Sequence, residues 1–221
     1  MIARFKWYIF ALTLVISMPF LIIAMYMFQK NNRYLRQKWC YYTLLLFGIR
    51  VKQIGSIDET ASLIVMNHTS LLDIMALEAI HSKDLCWVAK KEIRDYPIYG
   101  HILAAPKMIY IDREDKKELL RLLNETRERV ESGRVIAIFP EGTRNSIAKP
   151  LKAFKSGAKI IAEKFNYKVQ PLAIIGSLDI MPYGKKELYS GEIRVEFIDS
   201  VIATKGSNWF DNTKSTIEER I

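Results

Sequence analysis

From Trp7 to Phe28 the chain runs for 22 residues, WYIFALTLVISMPFLIIAMYMF, without one charged side chain. Nothing else in the 221 residues restricts folding so strongly, because so long an apolar stretch belongs in a lipid phase. As a helix it would extend roughly 33 Å at about 1.5 Å per residue, close to the thickness of a bilayer's hydrocarbon core. Trp7, Tyr8 and Tyr26 lie near its ends, where amphipathic rings favour the membrane interface. The run is longer than a signal-peptide core, and no small-x-small cleavage site follows it, so a retained anchor is expected. Pro19 removes one helix hydrogen bond and leaves both a kinked span and a re-entrant hairpin open.

A second uncharged stretch, WCYYTLLLFGI from Trp39 to Ile49, is too short to span and suits an interfacial or half-inserted helix. Residues 1–50 hold Arg4, Lys6, Lys30, Arg33, Arg36, Lys38 and Arg50 and no acid, which leaves only +2 of the net +9 for the remainder. Cations beside an apolar segment read as attraction to anionic lipid head groups. A basic face for nucleic acid is disfavoured by the same placement. The excess of cations between Lys30 and Lys38 over the N-terminal flank favours a cytoplasmic catalytic part. Two cysteines, Cys40 and Cys86, both in apolar settings, do not make a disulfide framework and fit a reducing compartment. Residues 1–50 are therefore expected to be a membrane-anchoring helical segment, and residues 51–221 one further domain.

Beyond residue 55 short apolar runs alternate with helical patterns. ASLIVM (61–66), LCWVA (85–89), KMIYI (107–111), VIAIF (135–139), VQPLAII (169–175) and EIRVEFI (192–198) read as strands. Helices are expected over 70–81, over 115–131, along Phe154, Ala158, Ile161 and Phe165, and from Ser207 to the end. The fold class is α/β, a mixed, largely parallel sheet flanked by helices, with the last strands open to an antiparallel arrangement. No phosphate-binding glycine loop, zinc helix or nucleophile-elbow pattern occurs, so nucleotide and metal chemistry lack their usual signatures.

Two strand exits stand out. After Met66 come Asn67, His68, Thr69 and Ser70, with Asp73 five residues beyond the histidine. Within one helix, five steps of about 100° would set His68 and Asp73 on different faces. With His68 in the loop and Asp73 in the next helix, capped by Thr69 or Ser70, the carboxylate can receive an imidazole N–H. The other nitrogen is then left as a base, the orienting half of a triad without its serine. The plainer alternative is a surface polar pair at a helix start. After the strand at 135–139 come Glu141, Gly142, Thr143 and Arg144; the glycine permits a turn closed to other residues, and the arginine can fork onto a phosphate or carboxylate. Arg113 and the pair Lys90-Lys91 also follow strands, at what would be the same sheet edge, where open α/β sheets bind ligands.

NHTSLLD (67–73) has the form N-H-x-x-x-x-D, and IYIDR (109–113), FPEGTRN (139–145) and VQPLAI (169–174) follow in order. Over about residues 60–175 the chain resembles the glycerolipid acyltransferase superfamily, most closely the bacterial 1-acyl-glycerol-3-phosphate acyltransferases. The resemblance implies that His68 is the general base on an acceptor hydroxyl and that Asp73 fixes its tautomer. It implies that Arg113 and Arg144 clamp the acceptor's phosphate, with Gly142 and Thr143 beside them and Lys91 as a lesser phosphate candidate. Glu141 would position an arginine or a glycerol hydroxyl. The donor would be acyl-CoA or acyl carrier protein as co-substrate, with no cofactor and no metal. The acceptor would be a lysophospholipid, giving phosphatidic acid, and the site would face the bacterial inner membrane from its cytoplasmic side. Membrane lipids are the other expected partner, and nucleic acid is not one. Another lysolipid acceptor, such as lyso-ornithine lipid, or a membrane-anchored thioesterase would use the same dyad.

Overall fold

Residues 1–112 and 118–221 are described by the computed structural model. In chain order they form α1 (Ile2–Met27), a single 3-10 turn, α2 (Asn32–Leu46), β1 (Ile49–Ile54), β2 (Leu63–Met66), α3 (Leu71–Ile80) and β3 (Leu85–Lys90). The short α4 (Lys91–Arg94) and α5 (His101–Ala104), β4 (Ile109–Ile111), α6 (Glu118–Glu131), β5 (Val135–Ile138) and α7 (Ser156–Phe165) follow. β6 (Lys168–Ile175), the short α8 (Ser177–Ile180), β7 (Gly191–Phe197), β8 (Val201–Ile202) and α9 (Trp209–Arg220) complete the chain. Residues 115–117 of the helix expected from Asp115 lie outside the described residues.

The sheet runs in the order β1-β7-β6-β2-β5-β3-β4, with β8 beside β6. β6, β2, β5, β3 and β4 are mutually parallel, and β7 and β8 pair antiparallel to β6. All four residues of β2 and of β5 are buried, as strands covered on both faces must be, and their side chains are correspondingly continuous apolar runs. Parallel pairing brings the C-terminal ends of β2, β5, β3 and β6 to one edge. The loops bearing His68, Gly142, Lys90 and Ser177 therefore emerge together.

β1 differs from expectation. The residues around Ile49 were expected in an interfacial helix, but the chain turns at Gly48 and enters an edge strand parallel to β7. IRVKQI alternates apolar and polar residues, a half-buried pattern; its position next to the apolar WCYYTLLLF run hides that period.

α1 continues unbroken through Pro19. Proline has no N–H for the carbonyl of Val15, four residues earlier, and Tyr99 donates its hydroxyl to that oxygen instead, at 3.3 Å. One face of α1 lies on the domain along its whole length. The Leu188 N–H donates to the Ala3 carbonyl at 3.1 Å, Phe10 meets Phe47 edge to face, Trp39 donates to Ser17, and Tyr26 bonds His101 Nδ1 at 2.7 Å. The opposite face leaves Phe5, Leu12, Ile16, Phe20 and Ile23 more than half exposed.

α2 packs on α3, and this corrects the reading of its cations as a group turned to lipid. Arg36 is buried, with its guanidinium 2.6 Å from Asp84 and 3.5 Å from Glu78. Arg33 donates to the His81 carbonyl at 3.2 Å. His81 is itself buried, and desolvation lowers its pKa to about 4, so it stays neutral while its Nδ1 accepts the Lys83 N–H.

Candidate active site

β2 ends at Met66 and Asn67 is locked at once. Its side-chain amide donates to the Ile174 carbonyl and accepts the Ile174 N–H, both at 2.8 Å, fastening the loop to β6. His68 and Thr69 then cross to Ser70, which caps α3 by accepting the Leu72 N–H at 3.2 Å. Asp73, three residues into α3, completes the capping box by accepting the Ser70 N–H at 2.8 Å. The same oxygen, Oδ2, accepts the Thr69 N–H at 2.7 Å and faces His68 Nδ1 at 2.9 Å. The capping box that starts the helix thus also aims the carboxylate at the imidazole. Asp73 is fully buried and acts here as an acceptor, so the proton lies on Nδ1 and Nε2 keeps its lone pair.

The imidazole stacks on Phe139 with ring centres 3.7 Å apart, and Phe139 stacks on Trp87 at 5.4 Å. With Nδ1 on Asp73 and one ring face covered, the orientation of His68 is fixed on two sides. Its backbone is held as well: the His68 N–H donates to Glu141 Oε1 at 2.9 Å, and the His68 carbonyl accepts the Asn145 N–H at 2.6 Å.

Glu141 departs from the expected role. It is buried, and its second oxygen accepts the Lys152 N–H at 3.0 Å, so both oxygens serve the main chain and neither is offered to a substrate. Burial pushes its carboxyl above the ordinary value, and the two N–H donors pull it part of the way back. Replacing Glu141 by alanine should orphan two N–H groups at the junction of the β2 and β5 loops. A loss of about 2–4 kcal/mol in denaturant unfolding is expected, together with a lower kcat at little changed KM.

Gly142 has φ +72°, so the turn favours glycine; a Cβ there would lie 3.0 Å only from the flexible Lys155 side chain. Beyond it Thr143 and Arg144 are exposed, and the Arg144 carbonyl accepts from Lys152 Nζ. The Arg144 guanidinium has no acidic partner among the described residues.

His68 and Arg144 border one cavity of about 610 Å³. Most of its lining is apolar, with Leu14 and Met18 from α1, Trp39 from α2, Leu71 and Ile74 from α3 and Trp87 from β3, and the buried Arg36 and Glu78 also stand in its wall. Gly142, Thr143 and Tyr183 stand at the same opening. Of the two adjacent lysines it is Lys90 that lines the cavity; Lys91 points to Asp112, 3.6 Å away. Arg113 lies outside the described residues. His68, Asp73, Gly142, Thr143 and Arg144 are thus gathered as their motifs suggest, and of the pair Lys90-Lys91 it is Lys90 that joins them, whereas Phe139, Trp87 and Ser177 were not anticipated. Phe139 stood inside a quoted motif as a presumed strand residue. The available signal for Ser177 was its place directly after a parallel strand.

A base held by a buried carboxylate, a cation and an apolar cavity suit the transfer of a group bearing a long apolar chain. A family model described as Acyltransferase matches residues 48–175. The 1-acyl-sn-glycerol-3-phosphate acyltransferase of Helicobacter pylori is 39% identical over 213 residues, covering 95% of this chain and 89% of that protein. The lyso-ornithine lipid O-acyltransferase of Rhizobium meliloti is 28% identical over 179 residues, or 77% of this chain and 61% of that protein. In three dimensions the chain is similar to the crystal structure of the 1-acyl-sn-glycerophosphate (LPA) acyltransferase, PlsC, from Thermotoga maritima. The TM-score is 0.75 at 20% identity, over 100% of this chain and 92% of that one, a likeness of fold.

Proposed function

This chain belongs to the acyltransferase family, and from that membership we propose that it moves a fatty acyl group from an acyl thioester to the free hydroxyl of 1-acyl-glycerol-3-phosphate, giving phosphatidic acid. The observation that carries the reading is the His68–Asp73 pair, 2.9 Å apart beside a largely apolar cavity and an Arg144 with no acidic partner among the described residues. His68 Nε2 takes the proton of the acceptor hydroxyl as its oxygen attacks the thioester carbonyl. Asp73 stabilises the imidazolium that results. The tetrahedral centre then collapses, the C–S bond breaks, and the departing sulfur takes the proton from Nε2. No covalent acyl-enzyme is required, and Cys40 and Cys86 are both buried. Arg144 faces the acceptor's phosphate, with Lys90, paired to Glu92 at 2.5 Å, on the same cavity, while the apolar walls take acyl chain.

The donor is acyl-CoA or acyl carrier protein. The test is the purified full chain with each donor against lysophosphatidate and lyso-ornithine lipid, products read by mass. Phosphatidic acid is expected. Acylation of the ornithine lipid alone would move the acceptor, and thioester cleavage unaffected by any acceptor would make the protein a hydrolase. Replacing Arg144 by alanine should raise the KM for the phosphate-bearing acceptor about 10- to 100-fold and leave the donor's KM within twofold.

α1 is long and apolar enough for membrane anchoring. Because residues near both of its ends contact the domain, it lies in the plane of one leaflet with its exposed face in lipid; the excess of cations that follows it favours the cytoplasmic side of the inner membrane. Glutamate at Leu12, Ile16 and Phe20 together should shift the protein from pellet to supernatant in vesicle sedimentation.

A further inference from the structure

The Asp73 carboxylate is served unevenly. Oδ2 accepts from His68 and from the N–H groups of Thr69 and Ser70, whereas Oδ1 accepts from the Ser177 hydroxyl. Ser177 reaches it from a different part of the chain, 104 residues away. Gly176, at φ +90°, turns the chain out of β6; a Cβ there would lie 2.7 Å from the Glu192 carbonyl oxygen, so no larger residue delivers Ser177 in this way. Ser177 is 1% exposed and Asp73 0%. The serine oxygen also lies 2.9 Å from Thr69 Oγ1. A carboxylate only accepts, so the single Ser177 proton goes to Asp73, and the Thr69 hydroxyl donates to Ser177 in turn. Thr69 thus donates twice toward the acid, through its N–H and through the serine.

We infer that Ser177 is a positioning residue for the proposed reaction: it anchors the far oxygen of Asp73, so that the near oxygen stays aimed at His68. The inference rests on the reading of His68 as the base. A carboxylate rotated about its Cβ–Cγ bond would lose the His68 contact, and among the described residues the Ser177 hydroxyl alone opposes that rotation from the Oδ1 side. Without it Oδ1 is a buried charged atom with no donor, and the imidazole–carboxylate pair takes up a proton more readily.

The experiment compares Ser177→Ala, Ser177→Cys, Asp73→Asn, the Asp73→Asn/Ser177→Ala double variant and His68→Ala in the full membrane-bound chain. Ser177→Ala should lower kcat about 10- to 100-fold with both KM values within twofold, and move the acidic limb of the kcat/KM profile up by about half a pH unit or more. In the Asp73→Asn background the same change should add less than about threefold, because the serine acts through the carboxylate. A wild-type rate and profile, or a full multiplicative loss on top of Asp73→Asn, overturns the inference. Should the alanine variant not fold, Ser177→Cys, similar in shape but a weak donor, decides the matter: a raised acidic limb supports the role and an unmoved one overturns it. A near-normal His68→Ala rate would instead strike the proposed base, whatever the serine variants show.

Discussion

His68→Ala should lower turnover by about 10²- to 10⁴-fold while the protein remains folded and membrane-bound. The size follows from what the ring does and what surrounds it. Nδ1 is committed to Asp73, one ring face is covered by Phe139, and the side chain is 11% exposed on the side that opens to the cavity. The one ring nitrogen left for the proposed proton transfer is therefore Nε2, and no other imidazole lies nearby to replace it. His81 is buried behind α3 and bonded to Lys83, and His101 is paired with Tyr26 on α1. Folding should survive, because the main chain of His68 is held through its N–H and carbonyl by Glu141 and Asn145, contacts that alanine retains. Asp73 also keeps its Thr69, Ser70 and Ser177 donors, so its charge is not stranded. Steady-state rates with lysophosphatidate and an acyl thioester, set beside near-ultraviolet circular dichroism, check both halves. A variant within tenfold of the wild type would show that the hydroxyl proton leaves by another route.

The parts of this architecture that sequence made legible are those governed by local pattern. β2, β3 and β5 are short apolar runs bounded by turn residues, and α6 and α7 carry a clear helical period, so each lies close to where its residues suggest. The site was legible for a related reason: side chains clustered at the exits of parallel strands are brought to one edge by the topology itself. What was hidden depends on pairing between distant segments. Glu141 looks like a ligand in one dimension and becomes a backbone clamp only when the β2 and β5 loops come together. Ser177 has no chemistry in its own neighbourhood and gains it from Asp73, on another element. Arg36 was counted with the lipid-facing cations because its acids, Glu78 and Asp84, lie some forty residues further on. β1 was masked by the apolar residues before it.

Arg36→Ala should be the most damaging single change away from the His68–Asp73 pair, destabilising the fold by about 3–5 kcal/mol. Arg36 is 5% exposed and joins α2 to two carboxylates. Asp84 would keep a second cation, since Arg134 approaches it at 2.8 Å. Glu78, 6% exposed, would keep the Trp87 indole N–H at 2.8 Å and lose its nearest charge partner. Burial already pushes the Glu78 carboxyl up, and Arg36 is the strongest influence pulling it down. The sign of the pH effect follows. With Arg36 gone the folded-state pKa of Glu78 rises further above its unfolded value, so the folded chain binds a proton that the unfolded chain does not. The deficit should be largest above that raised folded value and shrink as pH falls toward the ordinary glutamate value of 4.5. Denaturant unfolding in detergent at several pH values measures this directly; a deficit that stays the same at every pH would mean that the lost stability comes from packing. Arg36→Met with Glu78→Leu should recover much of the loss, because removing both charges removes the desolvation cost together with the attraction. Both side chains also line the cavity, so the double variant would extend its apolar wall, whereas Arg36→Ala alone would leave an unpaired buried carboxylate in it. Activity should accordingly recover with stability in the double variant and remain depressed in the single one.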